Sequence, residues 1–395
     1  MIIYNKTWLN NLAVHHQYET QHNAGCITND ELKTIKEQHP IGFYTPGIII
    51  RVGMFILTCI TTLFSFGLLS LMMSTTHIVE HFGWALFLGV VTAAILEIIT
   101  KEKNYYQAGI NDALMWMAAI FIAGALWWML EPQGYGNGHA DKILVSFVIL
   151  AVSLVAVLRY ADMLMAAIST LAFFAFIFFL WTRFGFMGIA TIPFILMIVT
   201  GLGYTLLSSI KQKIKVTYYN NCIIMAQVVS LVILYAAGNY FITDRANHVL
   251  NNIPQTTKLA VMWAPFFWAW TMLVPLVYIG LGIRNKNVIS LRVGLVLMAA
   301  GIYTFRTYYH IMSIELALII AGVALLALVY LIVRYLKTPK HGFTYADIDN
   351  GDKANNINIE GLITVATFKQ PHTHTGPENK FGGGDFGGSG SGGKF

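Results

Sequence analysis

The stretch VGMFILTCITTLFSFGLLSLMM, residues 52–73, contains no charged side chain and is long enough to cross a lipid bilayer as a helix. A membrane-spanning helix needs roughly 20 apolar residues, because the bilayer core is about 30 Å thick and unsatisfied backbone groups in lipid cost several kcal/mol each. Nine more apolar runs follow. We therefore predict an all-α polytopic membrane bundle of about ten helices, with spans at 52–73, 83–100, 113–130, 143–158, 163–181, 185–208, 222–242, 259–283, 288–304 and 314–333.

The positions of lysine and arginine predict the orientation, because cytoplasmic connections between membrane helices are enriched in these residues. With the N-terminus in the cytoplasm, fifteen cations fall on the inner flanks: Lys33, Lys36, Arg51, Lys101, Lys103, Arg159, Lys211, Lys213, Lys215, Arg284, Lys286, Arg292, Arg334, Lys337 and Lys340. Five fall outside: Lys142, Arg183, Arg245, Lys258 and Arg306. This asymmetry predicts that both termini lie in the cytoplasm.

The amino-acid composition also indicates an integral membrane protein. Apolar residues make up 56% of the chain and charged residues 11%, whereas about a quarter of the residues of an ordinary soluble domain are charged. Membrane lipid is therefore the expected surroundings. The net charge of +6 is distributed over membrane flanks and does not form the basic stripe that nucleic-acid binding requires. The first apolar run begins too far from the N-terminus for a cleavable signal peptide, so the first span is expected to be the targeting signal.

Residues 1–45 precede the first span and predict a small cytoplasmic helical hairpin. Thr28-Asn-Asp-Glu31 matches a capping box, in which each end residue bonds the backbone of the other. Pro40 should end the second helix. So short a unit buries too little to fold alone, and we expect it to pack on the helices or on a partner. The alternative is an amphipathic lead-in that lies on the lipid surface.

Residues 46–336 form the predicted ten-helix domain, and residues 337–395 form a polar tail. From residue 381 the tail reads FGGGDFGGSGSGGKF, which is typical of a flexible coil. Phe381, Phe386 and Phe395 are its spaced apolar groups, and they suggest contact with a cytoplasmic protein partner. A solvated linker without a partner is the alternative.

Glu97, Asn111 and Asp112 are the candidate site residues, because polar and ionisable groups in or near membrane spans are functional candidates by default. A short connection joins the second and third spans, so these side chains should lie close together. Two neighbouring carboxylates could carry a proton or bind a cation. The structural alternative is that Glu97 pairs with Lys101 at i, i+4 and that Asn111 or Asp112 caps the third span.

Other residues carry structural expectations. Arg51, Arg159 and Arg292 lie at the inner level, where long cationic side chains usually extend to the lipid headgroups. Pro193 should kink the sixth span, and Pro265 and Pro275 the eighth.

The sequence contains no catalytic or cofactor motif: it lacks H-E-x-x-H, a Walker A loop and G-x-S-x-G. Cys26, Cys59 and Cys222 are too scattered for a disulfide framework or a zinc site, and we expect three free thiols.

The N-terminal arrangement resembles a bacterial family of multi-pass membrane proteins of unknown function. The resemblance rests on Gly25-Cys-Ile-Thr28, on Phe43-Tyr-Thr-Pro46 before the first span, and on Ala108-Gly-Ile-Asn-Asp-Ala113 at the start of the third. It covers roughly residues 1–115 and implies a short cytoplasmic segment followed by eight to ten helices in the cytoplasmic (inner) membrane of a bacterium. It implies no activity.

Two classes of function follow from these observations. The first hypothesis is a non-catalytic scaffold or accessory subunit that recruits cytoplasmic partners through the hairpin and the tail. The second is a carrier or channel for a small solute or ion, with Glu97, Asn111 and Asp112 in its pathway. The positions of the acids favour the scaffold, because they lie near helix ends, whereas proton-coupled carriers usually place acids near the membrane midplane.

Overall fold

The computed structural model describes residues 2–23, 26–130, 139–213, 217–251, 253–254, 261–285 and 287–309, with a few single helical positions between 319 and 334. Twelve α-helices are defined in these ranges. They are α1 (Lys6–Asn23), α2 (Asn29–Gln38), α3 (Ile48–Met72), α4 (Phe82–Lys103), α5 (Ile110–Leu130), α6 (His139–Tyr160), α7 (Met163–Thr182), α8 (Gly185–Lys213), α9 (Asn220–Gly238), α10 (Tyr240–Leu250), α11 (Ala264–Arg284) and α12 (Val288–Tyr308).

Nine helices of the described ranges are long and apolar enough to cross a membrane: α3 to α9, α11 and α12. Their outer surfaces are apolar too, as in α3, where Phe66 alone is buried and Phe64 is 79% exposed. Exposure of so much apolar surface to water would be energetically unfavourable, so these faces contact lipid. The chain is a multi-pass integral membrane protein with an all-α fold. The predicted span at 314–333 lies largely outside the described residues.

The spanning helices pack as four antiparallel pairs, α4–α5, α6–α7, α8–α9 and α11–α12, with α3 against α5. Helix α5 also contacts α6, α7 contacts α8 and α9, and α9 contacts α11 and α12. The start of α3, the start of α5 and the end of α6 therefore lie at one end of the bundle, which we call the proximal end. The end of α9 lies at the opposite, distal end.

Two predicted spans have different bounds in the structure. The span predicted at 222–242 ends early, because Asn239 separates α9 from α10 and its side chain caps α10 by accepting a hydrogen bond from Ile242 N at 3.2 Å. The span predicted at 259–283 begins at Ala264, so Pro265 lies in the first helical turn. The predicted kink at Pro265 is therefore wrong, since a missing N–H has no intrahelical acceptor to lose at that position. Pro193 and Pro275 do lie inside helices.

The N-terminal helices α1 and α2 form a hairpin. The capping box predicted at Thr28 is confirmed: Thr28 N donates to Glu31 Oε2 at 2.8 Å, and Glu31 N donates to Thr28 Oγ1 at 3.3 Å. The hydrogen bonds that Thr28 N and Thr28 Oγ1 donate to the Glu31 carboxylate lower its pKa. Asn11 Nδ2 donates to Pro40 O at 2.8 Å, and Lys36 pairs with Glu19 at 2.6 Å, which ties the two helices together.

Candidate functional site

Asp112 forms an ion pair with Arg51 at the proximal end. Arg51 Nη2 and Nε donate to the same carboxylate oxygen, Oδ2, at 2.7 and 3.0 Å. The pair joins α3 to α5, and the Asp112 side chain is largely buried. Arg51 Nη1 also lies 3.4 Å from Oε1 of Gln107. The guanidinium of Arg51 therefore pairs with a carboxylate of α5, a partner that the sequence-based expectation for Arg51 did not include.

The connection between α4 and α5 brings these two residues together. Gly109 has φ +90°, and a Cβ at this position would lie 2.1 Å from Arg51 O. Only glycine allows the connection to pack this closely against the backbone of α3. Tyr44 and Tyr105 form an isolated parallel β-bridge beside it, with Tyr44 N donating to Asn104 O at 3.2 Å. Two connections that are far apart in sequence thus hold the start of α5 on α3.

Glu97 forms a second charge pair, with Arg159 of α6. Arg159 Nη2 contacts Glu97 Oε1, and Arg159 Nε donates to Oε2 at 3.2 Å. Lys101 lies 2.9 Å from Glu97 Oε1, so the predicted i, i+4 pair is confirmed. Tyr160 OH donates to Glu97 Oε2 at 3.3 Å. Arg159, like Arg51, therefore pairs with an acid, a partner that the sequence-based expectation did not include.

Asn111 links α5 to the N-terminus of the chain. Its Oδ1 accepts a hydrogen bond from Ala108 N at 2.9 Å, and its Nδ2 donates to Tyr4 OH at 3.2 Å. Asn111 therefore satisfies a backbone donor at the start of α5, as the structural alternative predicted. Both Asn111 and Tyr4 are buried, and burial raises the pKa of Tyr4 well above its usual value.

The segment before α1 covers the proximal end. Ile3 N donates to Arg159 O at 3.0 Å. Tyr4 contacts Phe43 and Tyr106 edge to face, with ring centroids 5.9 and 5.0 Å apart. Phe43 and Tyr106 stack at 5.2 Å, and burial raises the pKa of Tyr106 to about 12. The N-terminal segment is thus packed into the bundle through aromatic contacts.

Under this cover lies a small polar cavity of about 10 Å³. Its walls include both polar candidates of α5 and residues of the α6–α7 connection: Tyr4, Gln107, Asn111, Asp112, Met115, Tyr160, Ala161 and Asp162. A cavity of this size has room for about one water molecule. Glu97 does not line it and reaches it only through its hydrogen bond with Tyr160. The single pocket expected for Glu97 and Asp112 is therefore replaced by two separate charge pairs.

Asp162 is the carboxylate of this cavity that was not among the predicted site residues. It caps α7 by accepting a hydrogen bond from Met165 N at 2.7 Å. Burial raises the pKa of Asp162, and the nearby Asp112 adds to that shift. Its place just before an apolar run is a helix-start signal that could have been read from the sequence. The contribution of Tyr4 had no such local signal.

A second polar cluster lies at the distal end. Asn239 Nδ2 donates to Tyr235 OH at 3.0 Å and lies 3.1 Å from Thr304 Oγ1. Tyr240 N donates to Thr271 Oγ1 at 2.9 Å. Asn239 is buried, and these bonds satisfy the polar groups where the apolar run is broken. The cluster thus explains why α9 ends at this point.

Within the described ranges, no three His, Cys, Asp or Glu side chains are arranged to hold a metal ion. Comparison of the chain with protein-family models, curated proteins and solved structures found no match.

Proposed function

We propose that this protein is a non-catalytic scaffold or accessory subunit of the bacterial cytoplasmic membrane, with both termini in the cytoplasm. The observation that carries this proposal is the pairing of the two membrane-level acids with arginines of other helices. Glu97 contacts Arg159 across α4 and α6, and Asp112 contacts Arg51 across α3 and α5. Acids used in this way hold helices together, as a structural role requires.

The size of the polar cavity also supports a scaffold. About 10 Å³ is far below the roughly 300–1,000 Å³ of small-molecule sites. A solute passing Asp112 would have to displace Tyr4 and break the ion pair with Arg51.

The hairpin supplies a surface that suits a cytoplasmic protein partner. No residue of α2 is buried, and Asp30, Lys33, Thr34 and Glu37 form an exposed polar face at helical spacing. The opposite side is tied to α1 by the Lys36–Glu19 pair. A charged, exposed helix tied to its neighbour in this way is suited to electrostatic recognition of a soluble partner. The tail with Phe381, Phe386 and Phe395, which lies outside the described residues, is the second proposed recruiting element.

A photo-crosslinking residue placed at Lys33 or Glu37 in the full chain tests the scaffold proposal in living cells. We expect one discrete crosslinked protein from both positions. Charge reversal at Asp30 should lower the yield of the crosslinked protein, because the proposed partner binds this face through electrostatic contacts. A crosslinker at Val249, an exposed residue of α10, is the matched control and should not capture that protein. Absence of any crosslink from both α2 positions, or capture of the same protein from Val249, would contradict the proposal.

One observation favours a carrier or channel as the second candidate, namely that two carboxylates, Asp112 and Asp162, line the same buried cavity. Purified protein in vesicles with an internal pH-sensitive dye distinguishes the two functions. A scaffold should leave an imposed proton or cation gradient as stable as it is in empty vesicles. Dissipation of the gradient by the wild type, abolished in Asp112→Asn, would instead establish the carrier.

A further inference from the structure

A large apolar crevice lies at the proximal end, separate from the polar cavity. Its volume is about 340 Å³. Helix α7 forms the floor with the small residues Ala166, Ser169 and Thr170, and α6 forms one wall with Leu154, Val157 and Leu158. The other wall belongs to α8, α9 and the turn just before α9, with Leu207, Ile210, Tyr219, Cys222, Ile223 and Ala226. Ala166 and Cys222 at the bottom are 4% exposed, whereas Leu154 and Ile210 at the rim are over 40% exposed.

The depth of the crevice matches one leaflet of a bilayer. Leu154 lies six residues before the end of α6 and Ala226 six residues after the start of α9. At 1.5 Å per residue the crevice therefore runs about 10 Å into the membrane from the proximal helix ends, which is within half of a hydrocarbon core of about 30 Å. Tyr219 bridges the two walls near the proximal end, because its hydroxyl donates to Leu158 O at 2.7 Å. The lining is almost wholly apolar, so the ligand part that fits is a hydrocarbon chain.

The lysines that follow the crevice-lining part of α8 in the sequence indicate that the ligand has an anionic headgroup. Ile210 lines the rim, and Lys211, whose side chain is exposed, follows it directly. Lys213 and Lys215 come next in the sequence, so three cations lie within five residues. Each cation close to a membrane surface raises the affinity for anionic lipid roughly fivefold. A phosphate whose acyl chain occupies the crevice would be within reach of Lys211.

We infer that the crevice binds an acyl chain of an anionic phospholipid from the proximal leaflet, with the lipid phosphate held near Lys211. The site is independent of the polar cavity and of the scaffold proposal. It would tie α6 to α8 and α9 through a lipid in the region where protein side chains leave a gap over α7.

The test uses the full-length protein in vesicles and two photoactivatable probes. Phosphatidylglycerol and phosphatidylcholine carry the same diazirine-labelled acyl chain, and labelled peptides are mapped by mass spectrometry. We expect phosphatidylglycerol to label the lining residues of α6 to α9 at least roughly fivefold more than phosphatidylcholine does. The triple variant Lys211→Gln, Lys213→Gln, Lys215→Gln should remove that preference, whereas Lys142→Gln at the distal end should keep it.

A second set of variants tests the crevice itself. Ala226→Phe fills the space and should remove the label from the lining residues, whereas Leu206→Phe, at an exposed site on α8 outside the crevice, should not. Ser169→Leu fills the same space from the floor and replaces Ala226→Phe if that variant does not fold. Equal labelling by the two probes would overturn the anionic headgroup. Labelling that persists in both filled variants, or no labelling because another part of the chain or a second copy covers the crevice, would overturn the lipid site.

Discussion

Arg51 and Asp112, which are 61 residues apart in the sequence, form a two-donor ion pair in which both guanidinium hydrogen bonds reach the same carboxylate oxygen. The pair helps to hold α3 on α5, the helix against which α3 mainly packs. Asp112, an acid whose position in the sequence suggests transport, thus has a structural role: it helps to hold α3, whose other faces are exposed to lipid.

A double-mutant cycle measures the coupling free energy between Arg51 and Asp112. We expect the changes in unfolding free energy of Arg51→Ala and Asp112→Ala to be non-additive, with a favourable coupling of about 0.5–2 kcal/mol. The value should lie in the lower part of the usual range, because 37% of the Arg51 side chain is exposed and solvent screens the pair. The Lys36–Glu19 pair, with both side chains about 40% exposed, is the control and should couple by less than about 1 kcal/mol. Additive effects at Arg51 and Asp112 would show that the contact contributes no stability.

Gly109 should tolerate no side chain. Gly109→Ala places a methyl group against Arg51 O and keeps a positive φ, so we expect a loss of roughly 1–3 kcal/mol of stability in thermal unfolding. Gly53→Ala on α3 is the control, because nothing lies within 4 Å of a Cβ there. That change should leave stability unchanged or raise it by up to about 1 kcal/mol, since alanine favours helix. Similar effects of the two substitutions would contradict the close approach at Gly109.

Asp162 predicts a pH dependence of stability. Burial raises its pKa above the usual value of 3.8, so the folded protein holds this proton more tightly than the unfolded chain does. The contribution of Asp162 to stability is therefore greatest below pH 3.8 and is lost as pH rises through the raised pKa.

Asp162→Asn removes this titration and keeps a side chain that caps α7 about as well. The stability of the variant relative to wild type, measured by thermal unfolding from about pH 4 to about pH 8, should rise with pH and then level off. Parallel curves for the two proteins would show that Asp162 titrates normally in the fold.

The proposed orientation gives a labelling prediction. Cys26 is exposed beside α2, and Asn251 ends α10 on the distal side. In intact cells, an impermeant maleimide should modify Asn251→Cys and leave Cys26 unmodified until the membrane is permeabilised. Cys59→Ser and Cys222→Ser in the background remove the other thiols. Modification of Cys26 before permeabilisation would reverse the proposed orientation.

Hydropathy alone located nine described spans to within a few residues, because lipid imposes the same requirement on every spanning helix. It failed at Asn239, where the apolar run continues through Tyr240 and Phe241 and only a buried asparagine, bonded to Thr304 of a later helix, marks the break. The capping box at Thr28 and the pairing of Glu97 with Lys101 involve near neighbours in sequence, so they could be predicted.

The partners Arg51 and Arg159 could not be predicted in the same way. Periodicity shows that a residue lies at a helix end but not which other helix end lies beside it. Such pairs depend on the packing order of the helices, as does the distant contact between Tyr4 and Asn111.

The contact between Ile3 N and Arg159 O also has a consequence for the order of assembly during synthesis. Ile3 forms this bond with the carbonyl group of a residue that is synthesised more than 150 positions later. At about 5–20 residues per second the N-terminal segment remains undocked for roughly 8–30 s, while the first helices enter the membrane. The cover over the proximal end is therefore completed only after α6 has been made. A bulky fusion at the N-terminus should interfere with this late docking more than with insertion.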